Sequence, residues 1–499
     1  MRTLSDSPLP RIQKPIPTAI SGLDEILRGG LTPNRLYLIE GVPGSGKTTL
    51  ALQILLAGIT RGERVLYVTL SESEEELRSI ADSHGWSMDS MNIRELAPDE
   101  SLEPDEQYTM FHPSEVELTE TTSVILREVE RSQPALVVFD SLSEMRLLSG
   151  NALRYRRQIL GFKQFFAGRG CTVLLLDDMT SVGHDLQVQS IAHASIRLEQ
   201  LYPLYGAERR RLIVSKYRGV GFRGGYHDFV IRRGGLEVFP RLVASEHQIE
   251  RATARIGSGL SELDALLGGG IERGSSTLIV GPAGCGKSSL ATRFVLSAAR
   301  RGERSALFIF DESISTLLTR SEGLGMDIRQ FVEDGTISIQ QVDPAELSPG
   351  EFVHTIRQSV EARGASVVVI DSLNGYLNAM PEERFLTIQL HELTTYLGQR
   401  NVATLLIGAH QGLIGGQMVT PVDASYLADA VVLLRYYETA GEVRQAISVV
   451  KKRGGHHERT IREFRMEHGG IHLGPPLRNF RGVLTGVPVL ENGSPESTH

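Results

Sequence analysis

The chain has 499 residues and a net charge of −8, from 52 basic and 60 acidic side chains. Its hydrophobic content of 41% is typical of a folded globular protein and argues against disordered and fibrous classes. The acidic balance provides no general basic field for nucleic acid, and two cysteines, Cys171 and Cys285, make neither a zinc site nor a disulfide framework. No apolar run is long enough to span a bilayer, so we expect a cytoplasmic protein without membrane association.

Two glycine-rich segments, at residues 41–48 and 281–288, each contain a complete Walker A pattern. In this pattern glycines bring backbone N–H groups onto phosphate oxygens, a lysine binds the β- and γ-phosphates, and a hydroxyl binds Mg²⁺. Each segment follows an apolar run and precedes a helical pattern, which is the context that such a loop requires. The sequence therefore predicts two ATP sites, formed by Gly41, Gly44, Ser45, Gly46, Lys47, Thr48 and Thr49, and by Gly281, Gly284, Cys285, Gly286, Lys287, Ser288 and Ser289.

The similarity between the two halves extends beyond these loops. Leu23-Asp24 recurs as Leu263-Asp264, and Arg61-Gly-Glu-Arg64 recurs as Arg301-Gly-Glu-Arg304, at the spacing that separates the loops. We predict two tandem copies of one domain, at residues 1–246 and 247–485, followed by a short flexible tail at 486–499. Each copy is large enough to bury its own core.

Acidic residues follow the next predicted strand of each copy. Glu72 comes after the apolar run at 64–70, and Asp311 and Glu312 come after the run at 305–310. A carboxylate placed there can polarise the water or hydroxyl that attacks the γ-phosphate. The alternative is that these residues stabilise the N-terminus of the following helix.

A second aspartate in each copy ends a continuous apolar run: Asp140 after 135–139 and Asp371 after 366–370. Such runs predict parallel strands covered on both faces, so the fold class is α/β, with two RecA-like P-loop domains that each contain a mainly parallel sheet flanked by helices. We expect Asp140 with Thr48, and Asp371 with Ser288, to hold Mg²⁺, although a helix N-cap remains the alternative for each aspartate. Two later strands lead into polar residues that could sense the γ-phosphate, Asp177-Asp178 and His410-Gln411.

Each copy also carries a pair of cations near its end, Lys216 with Arg218 and Lys451 with Arg453. Residues two apart on a strand point to the same face, so each pair concentrates positive charge on one side. One interpretation is a solvated edge strand with protective charges. The other is a pair that reaches the γ-phosphate held by a neighbouring subunit, which implies a ring.

The doubled domain and the two Lys-x-Arg-Gly segments resemble the KaiC-like branch of RecA-type ATPases, and the resemblance covers essentially the whole chain. It implies a two-tiered homohexamer with ATP at subunit interfaces, an N-terminal ring that hydrolyses ATP and a C-terminal ring that phosphorylates itself. By position it makes the two cation pairs trans-acting, places His457 at the second nucleotide site and makes Ser425 the phosphoacceptor. It further implies a signalling or timing switch with KaiB-like or histidine-kinase-type partner proteins, and no nucleic acid partner.

The chain departs from the clock members of that family at several positions. Ser71 and Asp311 stand where those members have glutamate, and Tyr426 stands where they have a second phosphoacceptor. Two alternative functions therefore remain at this point. One is a recombinase-like or helicase-like DNA-dependent ATPase, since RecA-type cores also serve in such motors. The other, suggested by Ser71, is a nucleotide-locked scaffold with little turnover.

Overall fold

The computed structural model describes residues 14–96, 113–179, 186–247, 249–250, 254–378, 385–409, 426–439, 441–483 and 489–490. Ser425 and the pair His410-Gln411 lie outside the described residues. The chain divides into two compact units, Met1–Arg241 and Leu242–His499. Among the helices in the described ranges, none combines the length and the hydrophobicity that crossing a bilayer requires.

The first unit is built on a nine-stranded sheet with the order β3-β2-β4-β5-β1-β6-β7-β8-β9. The strands from β3 to β6 in this order pair in parallel, and β6 to β9 pair antiparallel. Its elements are α1 (Ser21–Ile26), β1 (Leu36–Gly41), α2 (Lys47–Thr60), β2 (Val65–Thr69), α3 (Glu74–His84), β3 (Asn92–Glu95), α4 (Pro113–Ser132), β4 (Leu136–Asp140), α5 (Leu142–Ser149), α6 (Ala152–Ala167), β5 (Thr172–Asp177), α7 (Leu186–Ile191), β6 (Ala194–Leu201), β7 (Arg209–Tyr217), β8 (Tyr226–Arg232) and β9 (Gly235–Phe239).

The second unit repeats this architecture, with the sheet order β14-β13-β15-β16-β12-β17-β18-β19-β20. Two short two-stranded sheets, β10-β11 and β21-β22, accompany it. Its elements are β10 (Arg255–Ile256), α8 (Ser261–Leu266), β11 (Ile271–Glu272), β12 (Ser276–Gly281), α9 (Lys287–Arg300), β13 (Ser305–Ile309), α10 (Ile314–Gly323), α11 (Arg329–Glu333), β14 (Ile337–Gln341), α12 (Pro349–Glu361), β15 (Val367–Asp371), α13 (Leu373–Asn378), α14 (Leu386–Gln399), β16 (Ala403–Ala409), β17 (Ala430–Thr439), β18 (Glu442–Lys452), β19 (Arg462–Glu467), β20 (Gly470–Pro476), β21 (Phe480–Arg481) and β22 (Val489–Leu490). The predicted fold class, two mainly parallel sheets flanked by helices, is confirmed.

Both faces of each central sheet are covered, which explains the continuous apolar runs in the sequence. In β1, Tyr37 and Ile39 belong to the core that packs against α2, whereas Leu36 and Leu38 belong to the core on the other face, with α6 and α7. Side chains alternate between faces along a strand, so these two cores are separated by the sheet itself. The second unit has the same two cores, one with α9 and one with α14.

The strand order places the phosphate loops and the strand-end acids at one edge. β1 and β4 are separated by β5, and all of them run parallel, as do β12, β16 and β15 in the second unit. Their carboxyl ends therefore share an edge, where open α/β sheets bind ligands.

Candidate nucleotide sites

The first phosphate loop connects β1 to α2 by a turn that only glycine fits well. Gly46 caps the N-terminus of α2 with φ 99°, in the left-handed region. A Cβ at Gly41 would lie 2.4 Å from Ser45 Oγ and 2.8 Å from the carbonyl oxygen of Leu198. The loop is thereby closed tightly against β6, with the N-terminus of α2 facing the place where phosphates bind.

Lys47 is held inside this loop, and its side chain is only 6% exposed. Its Nζ donates to the carbonyl oxygens of Gly41, at 2.8 Å, and Val42, at 3.1 Å, and forms an ion pair of 2.8 Å with Asp178 Oδ1. Burial raises the pKa of Asp178, but Lys47, together with hydrogen bonds from Ser143 and Ser141, outweighs burial and the pKa is lowered. Two of these oxygens belong to the loop itself, so the ammonium can exchange them for the oxygens of a bound phosphate with little movement.

Asp140, at the end of β4, is the buried carboxylate of the first site, with 4% of its surface exposed. Its Oδ2 accepts from Thr48 Oγ1 at 3.3 Å and from the Tyr67 hydroxyl at 2.6 Å. Burial raises the pKa of Asp140. Tyr67 was missed by sequence reasoning, because a tyrosine inside an apolar strand looks like a core residue; the equivalent position in the second unit is Leu307.

Glu72 follows β2 and joins the same cluster. Its backbone is fixed by Thr69, whose Oγ1 donates to the Glu72 carbonyl at 2.7 Å and accepts from its N–H at 2.9 Å. Its Oε2 is buried and has no hydrogen-bond partner among the described residues. Burial, followed by repulsion from Asp140, Glu76 and Asp178, raises the pKa of Glu72 to about 7. The carboxyl is thus poised to gain or lose a proton near neutral pH.

Magnesium fits this arrangement as a shared ligand rather than as the occupant of a protein cage. Within the described ranges, no group of three or more His, Cys, Asp or Glu side chains forms a metal site. Mg²⁺ commonly binds to one or two carboxylates together with substrate phosphates and water. The buried Asp140, paired with the Thr48 hydroxyl, provides such a ligand set.

The second phosphate loop repeats the first, between β12 and α9. Gly286 has φ 93°, and Lys287 Nζ donates to the carbonyl oxygen of Pro282 at 2.7 Å. Burial raises the pKa of Asp371, whereas its hydrogen bond with Ser288 lowers it. The predicted pairs of a loop hydroxyl and a strand-end aspartate are therefore in contact in both units.

The strand-end acids of the second unit differ from Glu72 in their partners. Glu312 forms a bidentate ion pair with Arg320 of α10, with both N–O distances at 2.9 Å. Burial raises the pKa of Glu312, and Arg320 opposes that rise. Ser372 Oγ donates a hydrogen bond to Asp311 Oδ2. The position of Arg320 is occupied by Ile80 in the first unit, so Glu72 lacks the arginine partner that Glu312 has.

A further buried acid, Glu40, was also missed by sequence reasoning. It precedes Gly41 in β1 and accepts from Gln189 Nε2 at 2.7 and 2.9 Å, and from Ser195 Oγ at 3.0 Å. These bonds connect the strand that leads into the phosphate loop to α7 and β6. Val280 stands at this position in the second unit, which removes the charge there.

The two predicted cation pairs bind main-chain carbonyl groups of their own unit. Lys216 Nζ donates to the carbonyl oxygens of α7 and its end, at 2.7 Å for Ala192, and Arg218 donates to Ser190 at 2.7 Å. In the second unit, Lys451 donates to the Ala428 carbonyl oxygen at 2.8 Å, and Arg453 donates to that of Tyr426 at 3.1 Å. His457, which lies between β18 and β19, is beside Gly268, which lies between α8 and β11.

These pairs lie far from the phosphate loop of their own unit. Lys216 pairs with Ser195, which pairs with Leu38, three residues before Gly41. The pair is therefore about 10 Å from the loop along the strands, and about as far again across two strand spacings. It is also on the sheet face opposite to α2, because Lys216 contacts α7. A lysine side chain cannot bridge this separation, so the pair does not reach a nucleotide on its own loop.

The unpaired Glu72 leads to a prediction about stability and pH. Its pKa in the folded chain is about 7, above the ordinary value of 4.5, so folding keeps it protonated while the unfolded chain is ionised. Stability is consequently lost as the pH rises from about 4.5 to about 7, and the loss persists above that range. We expect Glu72→Gln to raise the melting temperature of the nucleotide-free chain at pH 8 and to change it much less at pH 5.

Glu312→Gln is the matched control, because Arg320 opposes the rise in the pKa of Glu312, so this variant should raise the melting temperature at pH 8 by less than Glu72→Gln does. Calorimetry of the two variants beside the wild type provides the measurement. Equal shifts of the same sign in both variants would contradict the different environments of the two acids.

Comparison with known proteins agrees with this architecture. The family model described as "ATPase: KaiC" matches residues 16–243 and again residues 256–478. The chain is 28% identical to circadian clock protein KaiC3 of Synechocystis sp., over 95% of this chain and 94% of the relative. It is 29% identical to circadian clock oscillator protein KaiC of Picosynechococcus sp., over 96% and 93%, and 28% identical to that of Thermostichus vulcanus, over 95% and 92%. Because the family model matches both units, this chain belongs to the KaiC family of ATPases.

Proposed function

We propose that the N-terminal site is the faster ATP-hydrolysing site of this KaiC-family ATPase, with Glu72 as the general base. The observation that carries the proposal is the half-buried carboxyl of Glu72, in a cluster with Lys47 and Asp140. Its Oε2 has no hydrogen-bond partner among the described residues, and its pKa is raised to about 7. A base is most effective when its pKa is near the working pH, because it is then deprotonated and still accepts a proton.

In this mechanism the loop and the strand-end groups have separate roles. Backbone N–H groups of the loop and Lys47 bind the phosphates, and Mg²⁺ held by Asp140 and Thr48 would neutralise charge on the β- and γ-phosphates. Glu72 orients a water molecule and takes its proton as the water oxygen forms a bond to the γ-phosphorus. The bond between that phosphorus and the oxygen of the β-phosphate breaks, and the products are ADP and phosphate.

We infer a different activity for the C-terminal site, namely transfer of phosphate to Ser425. Glu312 is engaged by Arg320 and Asp311 by Ser372, so both acids are less available to activate water than Glu72 is. ATP bound there would persist longer, which favours a protein hydroxyl placed at the γ-phosphate. Asp311 or Glu312 would accept the proton of the serine hydroxyl as its oxygen bonds to phosphorus, and ADP leaves.

The second cation pair supports transfer between chains. Arg453 donates to the carbonyl oxygen of Tyr426, the residue that follows Ser425 in the sequence. The pair is remote from the phosphate loop of its own chain, because Lys451 pairs with Val431, which pairs with Leu278, three residues before Gly281. If Lys451 and Arg453 meet a γ-phosphate, it therefore belongs to a neighbour.

A closed ring supplies such a neighbour for every chain, because a head-to-tail interface repeats around it. We propose a homohexamer, the assembly that the family resemblance implies, in which Lys216 with Arg218 and Lys451 with Arg453 act on the nucleotides of the adjoining chain. The relatives are named as circadian clock proteins. By that analogy the phosphorylated and unphosphorylated rings would act as a signalling or timing switch through KaiB-like or histidine-kinase-type partner proteins in the cytoplasm.

A DNA-dependent ATPase, in which ATP turnover drives work on DNA, is the second candidate function. The net charge of −8 argues against it. Turnover that rises severalfold with single-stranded DNA would favour that function over the switch. A nucleotide-locked scaffold would instead show almost no phosphate release under any condition.

Our second prediction concerns the acid at the first site. In a Lys287→Ala background, Glu72→Gln should lower phosphate release by about 10² to 10⁴, the usual contribution of general base catalysis. With Glu72 intact, the rate should rise with pH and level off above a midpoint near 7, because the base works only when deprotonated. Glu312→Gln in the same background serves as the control and should leave both rate and midpoint unchanged. A rate that is independent of pH between 5 and 8 would rule out Glu72 as the base.

Our third prediction concerns the ring and the first cation pair. Multi-angle light scattering with ATP should show about six chains. Lys216→Ala combined with Arg218→Ala should lower turnover about a hundredfold or more, as expected for cations that stabilise a transferring phosphoryl group, while nucleotide remains bound at Lys47. Arg233→Ala, which removes an exposed arginine at the turn between β8 and β9, is the control. Full turnover by a strictly monomeric chain would refute the action in trans.

Our fourth prediction concerns the phosphoacceptor. After long incubation with Mg-ATP, phosphopeptide mapping should find phosphate on Ser425, and Ser425→Ala or Lys287→Ala should abolish it. Lys47→Ala is the control for the first site, and it should reduce the phosphorylation only as far as it disturbs ring assembly. If Ser425 is unmodified in the wild type, the proposed kinase activity is wrong and only the ATPase activity remains.

A further inference from the structure

The lysine of the first phosphate loop has an acidic partner on a third strand of the sheet. Lys47 Nζ donates to the carbonyl oxygens of Gly41 and Val42 and pairs with Asp178 Oδ1 at 2.8 Å. Asp178 follows β5 directly, whereas the aspartate that pairs with the loop hydroxyl ends β4. An ammonium group has three N–H donors, so these three protein oxygens use all of them. A phosphate oxygen that binds Lys47 must therefore displace one of them, and Asp178 is the charged member of the set.

The start of α5 holds Asp178 in this position. Ser143 Oγ donates to Asp178 Oδ2 at 2.9 Å and accepts from the N–H of Asp178 at 3.3 Å. Ser143 is buried, which shields both bonds from water. These bonds do not involve the lysine, so we expect them to persist when a phosphate binds Lys47. The carboxylate then stays close enough to take the ammonium back.

Asp177 fixes the turn that carries Asp178. It is buried at the end of β5, where its Oδ2 pairs with Arg146 of α5 at 2.5 Å and its Oδ1 accepts from the N–H of Met179 at 3.2 Å. A buried carboxylate that is bound on both oxygens is costly to displace. Helix α5 therefore holds both acids, Asp177 through an arginine and Asp178 through a serine, and keeps the second of them beside the phosphate loop.

The second unit has neither acid at the equivalent positions. The β1–β5 and β12–β16 pairs have the same register, in which Gly408 is equivalent to Asp177 and Ala409 to Asp178. Lys287 Nζ donates to a carbonyl oxygen of its loop and forms no ion pair with a described residue. The lysines of the two loops therefore differ in whether an acid competes for them.

The residues of α5 that support the two acids are also replaced. Counted from the aspartates that end β4 and β15, Asn374 stands in the place of Ser143, and Leu377 in that of Arg146. Asn374 Oδ1 accepts from the N–H of Ala409 at 2.7 Å, so the turn after the strand is held from the same helix position. The backbone arrangement is thus kept in the second unit, while the charge beside the lysine is not.

We propose that Asp178 is a positioning residue that promotes the release of ADP from the first site, because it takes the ammonium of Lys47 back from the nucleotide. The inference rests on the proposed binding of phosphates by Lys47. ATP carries one more phosphate group than ADP, so it attracts the ammonium more strongly and competes better with Asp178. Once the γ-phosphate has left, the balance shifts toward the ion pair, and the β-phosphate of ADP is held less firmly. The negative charge of Asp178 also repels the phosphates that remain.

This role adds to the difference between the two units. Release of product limits the turnover of many enzymes, so a residue that weakens the binding of ADP allows the site to be reused sooner. Because Lys287 has no such competitor among the described residues, we expect ADP to remain longer at the second loop. The first site thus discriminates against its own product, and it binds nucleotide more weakly than it would without Asp178.

The first arm of the test measures the binding of Mg-ADP at the first loop alone, by calorimetry, in the full chain carrying Lys287→Ala. Two further substitutions are compared in that background: Asp178→Asn keeps the shape of the side chain, and Asp178→Ala introduces the residue of the second unit. We expect both to bind ADP about tenfold to a hundredfold more tightly, the range of a hydrogen bond to a charged group. Glu75→Ala, which removes an exposed acid of α3, is the control and should leave the affinity unchanged.

The direction of the change separates this role from a structural one, because a variant that merely loosened the loop would bind ADP more weakly. An affinity for ADP that is unchanged or weakened in both Asp178 variants would overturn the inference, and the role of Glu72 as the base would be untouched. Failure of the Lys287→Ala chain itself to bind ADP would refute the nucleotide site at Lys47 and this inference together.

The second arm follows phosphate release at pH 8 in the same chains. With Asp178→Asn we expect the first turnover to be as fast as in the parent chain and the steady-state rate to fall by about the factor by which ADP binding tightens, so that a burst of phosphate appears. A first turnover that slows as much as the steady state would overturn the assignment to product release. Absence of turnover in the parent chain would refute the proposed hydrolysis, and the binding arm would still decide this inference.

Discussion

The polarity of the parallel sheet is the constraint on which both nucleotide sites depend. Parallel strands bring the loop, Asp140 and Glu72 to their carboxyl edge, where the helix N-terminus of α2 also faces. The antiparallel strand β7 then returns along the sheet and leaves Lys216 near the opposite edge, on the other face. Each unit therefore has its phosphate loop at one place and its cation pair at another. If the pairs act on phosphate as we propose, only a second copy can complete the sites, and this is the physical reason for expecting a ring.

The two units have the same backbone plan but different electrostatics. In the first, Glu72 forms no ion pair with any described residue, and Tyr67 donates a hydrogen bond to Asp140. In the second, Arg320 engages Glu312, and Asp429 compensates Arg453. Glu72 of the first unit therefore lacks the arginine that Glu312 of the second unit has. This difference is what supports the proposal of faster hydrolysis at the first site and slower chemistry at the second.

Much of the fold could be predicted from the sequence because its signals are local. The loop at 41–48 has its own glycine pattern, and the strand before Asp140 is a continuous apolar run. The partners of the charged groups could not be predicted in that way. Arg320 reaches Glu312 only because α10 follows the strand end, and Lys163 approaches Arg218 only because α6 packs against α7, whose carbonyl groups both side chains bind. Such pairings depend on tertiary structure, and a tyrosine such as Tyr67 gives no sign in an apolar run that it serves a buried aspartate.

The central claim is that the two sites differ in turnover because their acids differ in environment. The most direct measurement is steady-state phosphate release at pH 7.5 by the full chain carrying Lys47→Ala, compared with the chain carrying Lys287→Ala, with bound nucleotide counted in each. The account predicts that each variant retains nucleotide at its intact loop, that most of the turnover disappears with Lys47→Ala, and that most of it remains with Lys287→Ala. Equal turnover by the two variants, or loss chiefly in Lys287→Ala, would contradict the account.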